Sequence, residues 1–378
     1  MGSAIVNKVR LLTMQPTSAC NLRCRYCYLG RHKGAVVMDL AVLRAALARL
    51  AAEDLLGPEL TISWHMGEPL TAGKDFFRQA FALTERMLGG ATRLGHSIQT
   101  NGTLIDDQWA ALFAERDVKV GLSLDGPTAV HDANRVLPDG SGSHARVMAG
   151  LDCLRRSGVR PSIICVVNQS SIDRAEELRD FFRAEGLWRI NFNIEEIEGA
   201  HERSFVKSDA DWRERYRRFL AVFHAAGVAV RDLENVKSWL ADRRPRAAGA
   251  ALPLHHLSID ATGGFSSFSP ELLSASHPAH GDFILGNVTS DAIAAAMGAA
   301  KGQRLWAQIK KGLLRCKAEC PHFGLCGGGY PSNKLFENGS FDSARTTACE
   351  AGIIIPLAVA SHAPAVDAAH GRGAPSYF

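Results

Sequence analysis

Short apolar runs alternate with amphipathic stretches along the first two thirds of the chain. VRLLTM (9–14), LTISWH (60–65), HSIQT (96–100), VKVGLSL (118–124), RPSIICVVN (160–168) and RINFNI (189–194) read as strands. Between and after them, 39–53, 75–88, 106–116, 144–157, 175–185, 209–226 and 232–243 carry apolar residues at helical spacing. Six strand–helix alternations therefore predict the α/β class and a partial (β/α)6 TIM-like barrel open at one side. From 257 the pattern changes. Residues 257–261 and 265–268 flank Thr262-Gly263-Gly264 and predict a β-hairpin. FILGNV (283–288) and helices within 292–309 extend an α+β region.

A chain of 378 residues exceeds what one core usually accommodates, so two domains are expected, 1–245 and 246–378. The basic stretch Arg243-Arg244-Pro245-Arg246 reads as the linker, and 363–378 as a loosely ordered tail. The net charge of +4 is too mild to argue for nucleic acid. The longest apolar stretch, 351–360, is too short to span a bilayer, and no secretory signal is visible, so a cytoplasmic protein without a membrane partner is expected. Seven of the nine cysteines fall in two clusters, a pattern that favours metal over disulfides. Cys153 and Cys165 read as small apolar residues.

The first cluster is Cys20-Asn21-Leu22-Arg23-Cys24-Arg25-Tyr26-Cys27. Three thiolates on one loop can hold three irons of a [4Fe–4S] cubane, leaving the fourth open to a second ligand. Zinc is the alternative, with His32 completing four ligands. The second cluster is Cys316, Cys320, Cys326 and Cys349, enough for a full cubane or a structural zinc. Met66-Gly67-Glu68-Pro69 ends the second strand; Gly67 permits close backbone approach and Pro69 removes a donor.

The CxxxCxxC loop with Tyr26 before its last cysteine resembles the signature of the radical S-adenosylmethionine (SAM) superfamily. Met66-Gly67-Glu68-Pro69 resembles that family's GGEP-type turn, with Met66 in place of the first glycine. Thr100-Asn101-Gly102, Ser123-Leu124-Asp125-Gly126-Pro127 and His131-Asp132-Ala133-Asn134-Arg135 also match family strand ends. The resemblance implies SAM at the open iron. It further implies that Met66, Gly67, Glu68 and Pro69 meet the methionine amino group, and that Tyr26, Asn101, Ser123 and Arg135 meet the rest of the cofactor. A carboxylate wants a fixed guanidinium fork, which is the reason for an arginine.

The region after 257 resembles the SPASM domain of peptide-modifying enzymes, without its early cysteine pair and with Tyr330 at another cysteine position. One auxiliary [4Fe–4S] cluster on the Cys316 quartet is therefore expected, making two clusters in all. Phe265–Leu272, INFNIEEIEG and CGGGY look like the maturases that install cyclophane rings in glycine-rich repeat ribosomal peptides. The resemblance implies a ribosomal precursor peptide as substrate, an electron donor such as flavodoxin or ferredoxin, and a 5′-deoxyadenosyl radical that takes a β-hydrogen before the carbon radical joins an aromatic ring. Asp125, Glu195 and Glu271 are the candidate proton acceptors, with Glu196 beside them. Formylglycine formation, thioether formation and a zinc-stabilised binding protein are the alternatives.

Overall fold

The computed structural model describes residues 7–29, 36–242 and 249–361. The expected linker, the tail and His32 lie outside the described residues.

The strands are β1 Val9–Met14, β2 Leu56–Trp64, β3 Arg93–Thr100, β4 Lys119–Ser123, β5 Ser162–Val167, β6 Arg189–Ile194, β7 Ala229–Val230, β8 His256–Ile259 and β9 Gly264–Ser267. β1 to β7 are parallel and neighbour one another in chain order. Between the first six run the helices Leu40–Ala52, Lys74–Leu88, Asp107–Glu115, His144–Arg156 and Ala175–Ala184, and Trp212–Ala225 follows β6. This is the α/β core expected from the sequence, with a helical C-terminal region beyond it.

The hairpin does not stand apart. β8 pairs in parallel with β1, placing Leu12 opposite Leu257, and β9 returns antiparallel to β8. One sheet therefore runs from β7 through β1 to the hairpin and ends on the short strand Gly286–Asn287. The C-terminal region grows directly from the edge beside the first cysteine loop.

Strand alternation divides the sheet into two faces. Trp64 packs edge-on against Phe76 and Phe77 of Lys74–Leu88, with ring centroids 5.9 and 5.2 Å away. Leu12, Ile62 and Ile98 are buried with it. On the opposite face, β1, β2, β3 and β8 bring polar residues into one row. Thr13 lies in register with Ser63 and Ser258, and Ser63 with Ser97. Thr13 Oγ1 and His256 Nε2 are 2.8 Å apart. A face lined by hydroxyls, amides and imidazoles suits a polar cofactor better than a packed apolar core.

Two expected boundaries move. β2 starts at Leu56 rather than 60, because Gly57-Pro58 hides its first residues in the pattern. The last long helix, Ala300–Glu319, runs ten residues beyond the expected end at 309. Gly312 interrupts the pattern but not the helix: a Cβ there would lie 2.0 Å from the Phe341 carbonyl oxygen, so the glycine permits close packing. The extra turns carry Cys316.

Candidate active site

β1 ends at Met14, and the Cys20–Cys27 loop follows at its C-terminal end, where barrel folds place their chemistry. The loop is held from two sides. Glu68 N donates to Ala19 O at 2.8 Å, while Arg23 N and Arg25 N donate to Val136 O and Asn134 O at 2.7 and 2.9 Å. Cys20, Cys24 and Cys27 are free thiols. Burial pushes Cys20 up to about 12 and Cys24 up to about 11, with Arg135 opposing the shift at Cys24. Thiols kept protonated by their surroundings need a cation to become ligands.

The Met66-Gly67 turn packs directly on this loop. Both residues have positive φ, 74° and 65°. A Cβ on Gly67 would sit 2.6 Å from Ala19 O and 2.9 Å from Thr17 O, so only glycine fits. Glu68 is 1% exposed. Its Oε1 accepts from Leu70 N at 3.0 Å and Thr100 Oγ1 at 2.7 Å, and its Oε2 accepts from Asn101 N at 2.7 Å. Burial outweighs these donors and raises the carboxyl to about 7. Glu68 thus ties the ends of β2 and β3 together, and Pro69 begins the turn that follows. Asn101 Nδ2 donates to Asn21 Oδ1 at 2.8 Å, which joins the end of β3 to the cysteine loop.

Ser123 accepts from Gln99 Nε2 at 3.0 Å. A Cβ at Gly121 would lie 2.2 Å from Gln99 Oε1, so that glycine makes room for the amide. Gln99 escaped the sequence reading, although its place two residues beyond Ser97 on an alternating strand was the available signal.

Asp125 and Arg135 form a buried two-point ion pair, Nε to Oδ2 at 3.0 Å and Nη2 to Oδ1 at 3.1 Å. Tyr26 Oη donates to Asp125 Oδ2, and Val166 N donates to Oδ1 at 2.9 Å. The guanidinium carbon stands 5.3 Å from the Tyr26 ring centroid. Tyr26, Asp125 and Arg135 are thus one charge-balanced cluster beside Cys24. His131, which the motif match left without a role, locks the turn between them. Its Nδ1 accepts from Asp125 N at 3.3 Å, and its Nε2 lies 2.9 Å from Ser143 Oγ. Burial lowers this imidazole to about 4, which keeps it neutral.

The second cysteine set lies in the C-terminal region, around a single cavity. Cys316 is on the last turn of Ala300–Glu319, and Cys320 N donates to Cys316 O at 3.0 Å. Cys326 ends the short helix Phe323–Cys326, and three glycines with positive φ follow it. Gly328 N donates to Cys326 Sγ at 3.3 Å, and Lys334 Nζ to Cys316 Sγ at 3.2 Å. Cys349 is pushed up to about 12 by burial and by the charges of Cys326, Cys320 and Cys316. All four cysteines line one cavity of about 1460 Å³. Glu196, Glu198 and Glu271 also line it, as does Tyr330. Among the described residues no three His, Cys, Asp or Glu side chains are gathered to hold a metal ion. A single ion draws its ligands to one point, whereas a cubane takes each thiolate at a separate iron. Four free thiols around one cavity, with N–H groups donating to their sulfurs, are a donor set that fits a cubane.

The candidate carboxylates separate. Glu195 pairs with His201, Oε1 to Nε2 at 3.1 Å. Asp125 is held in its ion pair. Glu271 faces the cavity and accepts from Ser269 Oγ. Glu196 accepts from Asn333 Nδ2 at 2.6 Å and is raised to about 8 by burial and by Glu337 and Glu271. Glu198 is raised by burial and then by Glu271 and Glu196.

Residues 14–182 match the model of the radical SAM superfamily. An uncharacterized protein of Synechocystis sp. is 39% identical over 90% of this chain and 88% of its own length. A serine-type anaerobic sulfatase-maturating enzyme of Bacteroides thetaiotaomicron is 28% identical over 82% of this chain and 81% of its own. The solved structure of anSMEcpe with bound AdoMet and Cp18Cys peptide superimposes with a TM-score of 0.73 at 22% identity, covering 93% of this chain and 96% of that one. Fold and site together define an enzyme whose cofactors are a [4Fe–4S] cluster and SAM. The chain belongs to the radical SAM superfamily. No helix among the described residues is long and apolar enough to cross a membrane.

Proposed function

We propose that this enzyme modifies a ribosomally made precursor peptide, joining an aromatic ring carbon to the β-carbon of a residue two positions on. The observation that carries this reading is the cavity of about 1460 Å³ lined by four cysteines and by Glu196, Glu198 and Glu271. It is roomy enough for a peptide segment as well as a cluster. The neighbouring segment Phe265–Leu272 has no cysteine where sulfatase maturases usually keep theirs. The sulfatase-maturating relative, and the Cp18Cys peptide bound to anSMEcpe, support a peptide substrate.

In this reading Cys20, Cys24 and Cys27 hold the SAM-binding cluster, and Cys316, Cys320, Cys326 and Cys349 hold an auxiliary one. Once reduced by a small electron-transfer protein such as flavodoxin or ferredoxin, the first cluster and SAM supply the radical that takes a hydrogen from the substrate. The remaining work belongs to the chain. The Met66–Pro69 turn, Asn101 and Ser123 shape the cofactor pocket, and Arg135 fixes its charge. The Asp125 oxygens are engaged by Arg135, Tyr26 and Val166, so Asp125 positions Arg135 rather than accepting a proton. Glu195 is engaged with His201. Glu271, on the segment that replaces the missing cysteines, takes the ring proton when aromaticity returns, with Glu196 as its neighbour. An auxiliary cluster held by Cys316, Cys320, Cys326 and Cys349 would supply an acceptor for the electron released in that step.

The test is reductive SAM cleavage by the reconstituted protein and by a Cys20→Ala, Cys24→Ala, Cys27→Ala variant. The variant is expected to lose 5′-deoxyadenosine formation while keeping its auxiliary iron. Cleavage at the original rate by the variant would end this reading.

A further inference from the structure

Lys334 is 5% exposed, on the helix Pro331–Asn338. Its Nζ donates to Gly312 O at 2.9 Å and to Cys316 Sγ at 3.2 Å. Among the described residues no carboxylate pairs with it. Glu337, one turn further along the same helix, is turned to other donors: its oxygens accept from Thr347 N and, at 3.2 Å, from Ala348 N. A buried ammonium without a carboxylate is costly. Among the described residues its hydrogen-bond partners are a backbone carbonyl and a cysteine sulfur, so the site asks for an anion there.

A cubane held by four thiolates is such an anion, and it becomes more negative on gaining an electron. A fixed cation at hydrogen-bond distance from one ligand sulfur favours the reduced form, and hydrogen bonds to sulfur act in the same direction. The carbonyl of Gly312 fixes where the ammonium points, because Gly312 and Cys316 lie on successive turns of Ala300–Glu319. We propose that Lys334 is the charge-balancing and positioning residue of the auxiliary cluster, setting its potential high enough to accept an electron from the substrate. The inference rests on the auxiliary-cluster reading above.

The test uses the full chain with Cys20, Cys24 and Cys27 replaced by alanine, so that the auxiliary cluster is the sole source of signal. Lys334→Gln and Lys334→Arg are made in this background, and reduction is followed by electron paramagnetic resonance at controlled potentials. Lys334→Gln is expected to shift the reduced-to-oxidised ratio at a fixed potential by about tenfold toward oxidised, equivalent to about 59 mV for one electron. Lys334→Arg is expected to stay close to the parent. A loaded Lys334→Gln variant with an unchanged potential would overturn the inference. Should Lys334→Gln fail to load iron, loading by Lys334→Arg supports the charge role and failure of both overturns it. A parent without roughly four irons per chain would instead sink the auxiliary-cluster reading itself.

Discussion

Arg135 and Asp125 bind each other through two parallel hydrogen bonds, 3.0 and 3.1 Å long, with Tyr26 closing over the pair. The aromatic residue of the cysteine loop is thereby anchored to a charge pair at the end of β4. Removing one partner leaves the other charge buried and alone. Asp125→Ala is expected to destabilise the iron-free protein by about 3–5 kcal/mol. Tyr26→Phe, which removes one donor from a buried carboxylate, is expected to cost about 1–3 kcal/mol. Urea denaturation of both variants measures this, and equal losses would contradict the ranking.

Gly67 fixes the distance between the Met66–Pro69 turn and the cysteine loop. Gly67→Ala would force a methyl group to within 2.6 Å of Ala19 O and 2.9 Å of Thr17 O. Neither backbone atom can yield without moving the loop that carries Cys20. The variant is expected to lose most of the iron of its first cluster and to drop reductive SAM cleavage by about a hundredfold. Met66→Gly should do the opposite locally, relieving a non-glycine residue at φ 74°. Iron content and 5′-deoxyadenosine yield separate the two.

Glu196 gives the fold a pH dependence. Its carboxyl is raised from 4.5 to about 8, because burial and the neighbouring Glu337 and Glu271 disfavour its charge. The folded state therefore holds a proton that the unfolded state releases. Its stabilising effect is complete below the unfolded value and is lost as pH rises through the folded one. Glu68, raised to about 7, acts in the same direction. Above about pH 7, where buried imidazoles such as His131, lowered to about 4, are neutral in both states, stability is expected to fall up to about pH 8.5, and Glu196→Gln should flatten part of that slope. Urea midpoints across the range test this; a Glu196→Gln slope as steep as the parent's would contradict it.

The two cysteine sets predict about eight irons per reconstituted chain. A value near four would remove the auxiliary cluster, and one near twelve would require a further cluster beyond these seven cysteines.

The parallel core was legible because apolar residues recur along its strands, as a run in VRLLTM and at alternate positions in RINFNI. The ends of Ala300–Glu319 and Leu56–Trp64 were not, since Gly312 and Gly57-Pro58 break the local pattern while tertiary packing continues the element. The cysteine spacings gave the two sulfur sets outright. Their supports were hidden for different reasons. Gln99 follows from strand alternation once the sheet is known. His131 acts through a turn that brings it back to Asp125 N, and Lys334 meets Cys316 across two helices. The pairing of β8 with β1 is a contact between residues more than two hundred positions apart, which no local pattern encodes.

The most direct test of the proposed reaction is to co-express the chain with a small glycine-rich repeat peptide that carries aromatic residues, then weigh and fragment that peptide. A loss of about two mass units per motif, with fragmentation blocked between an aromatic residue and the residue two positions on, is the predicted result. The same loss with uninterrupted fragmentation and an aldehyde that reacts with hydrazine would mean formylglycine formation, and would contradict the crosslink while leaving the radical SAM enzyme in place.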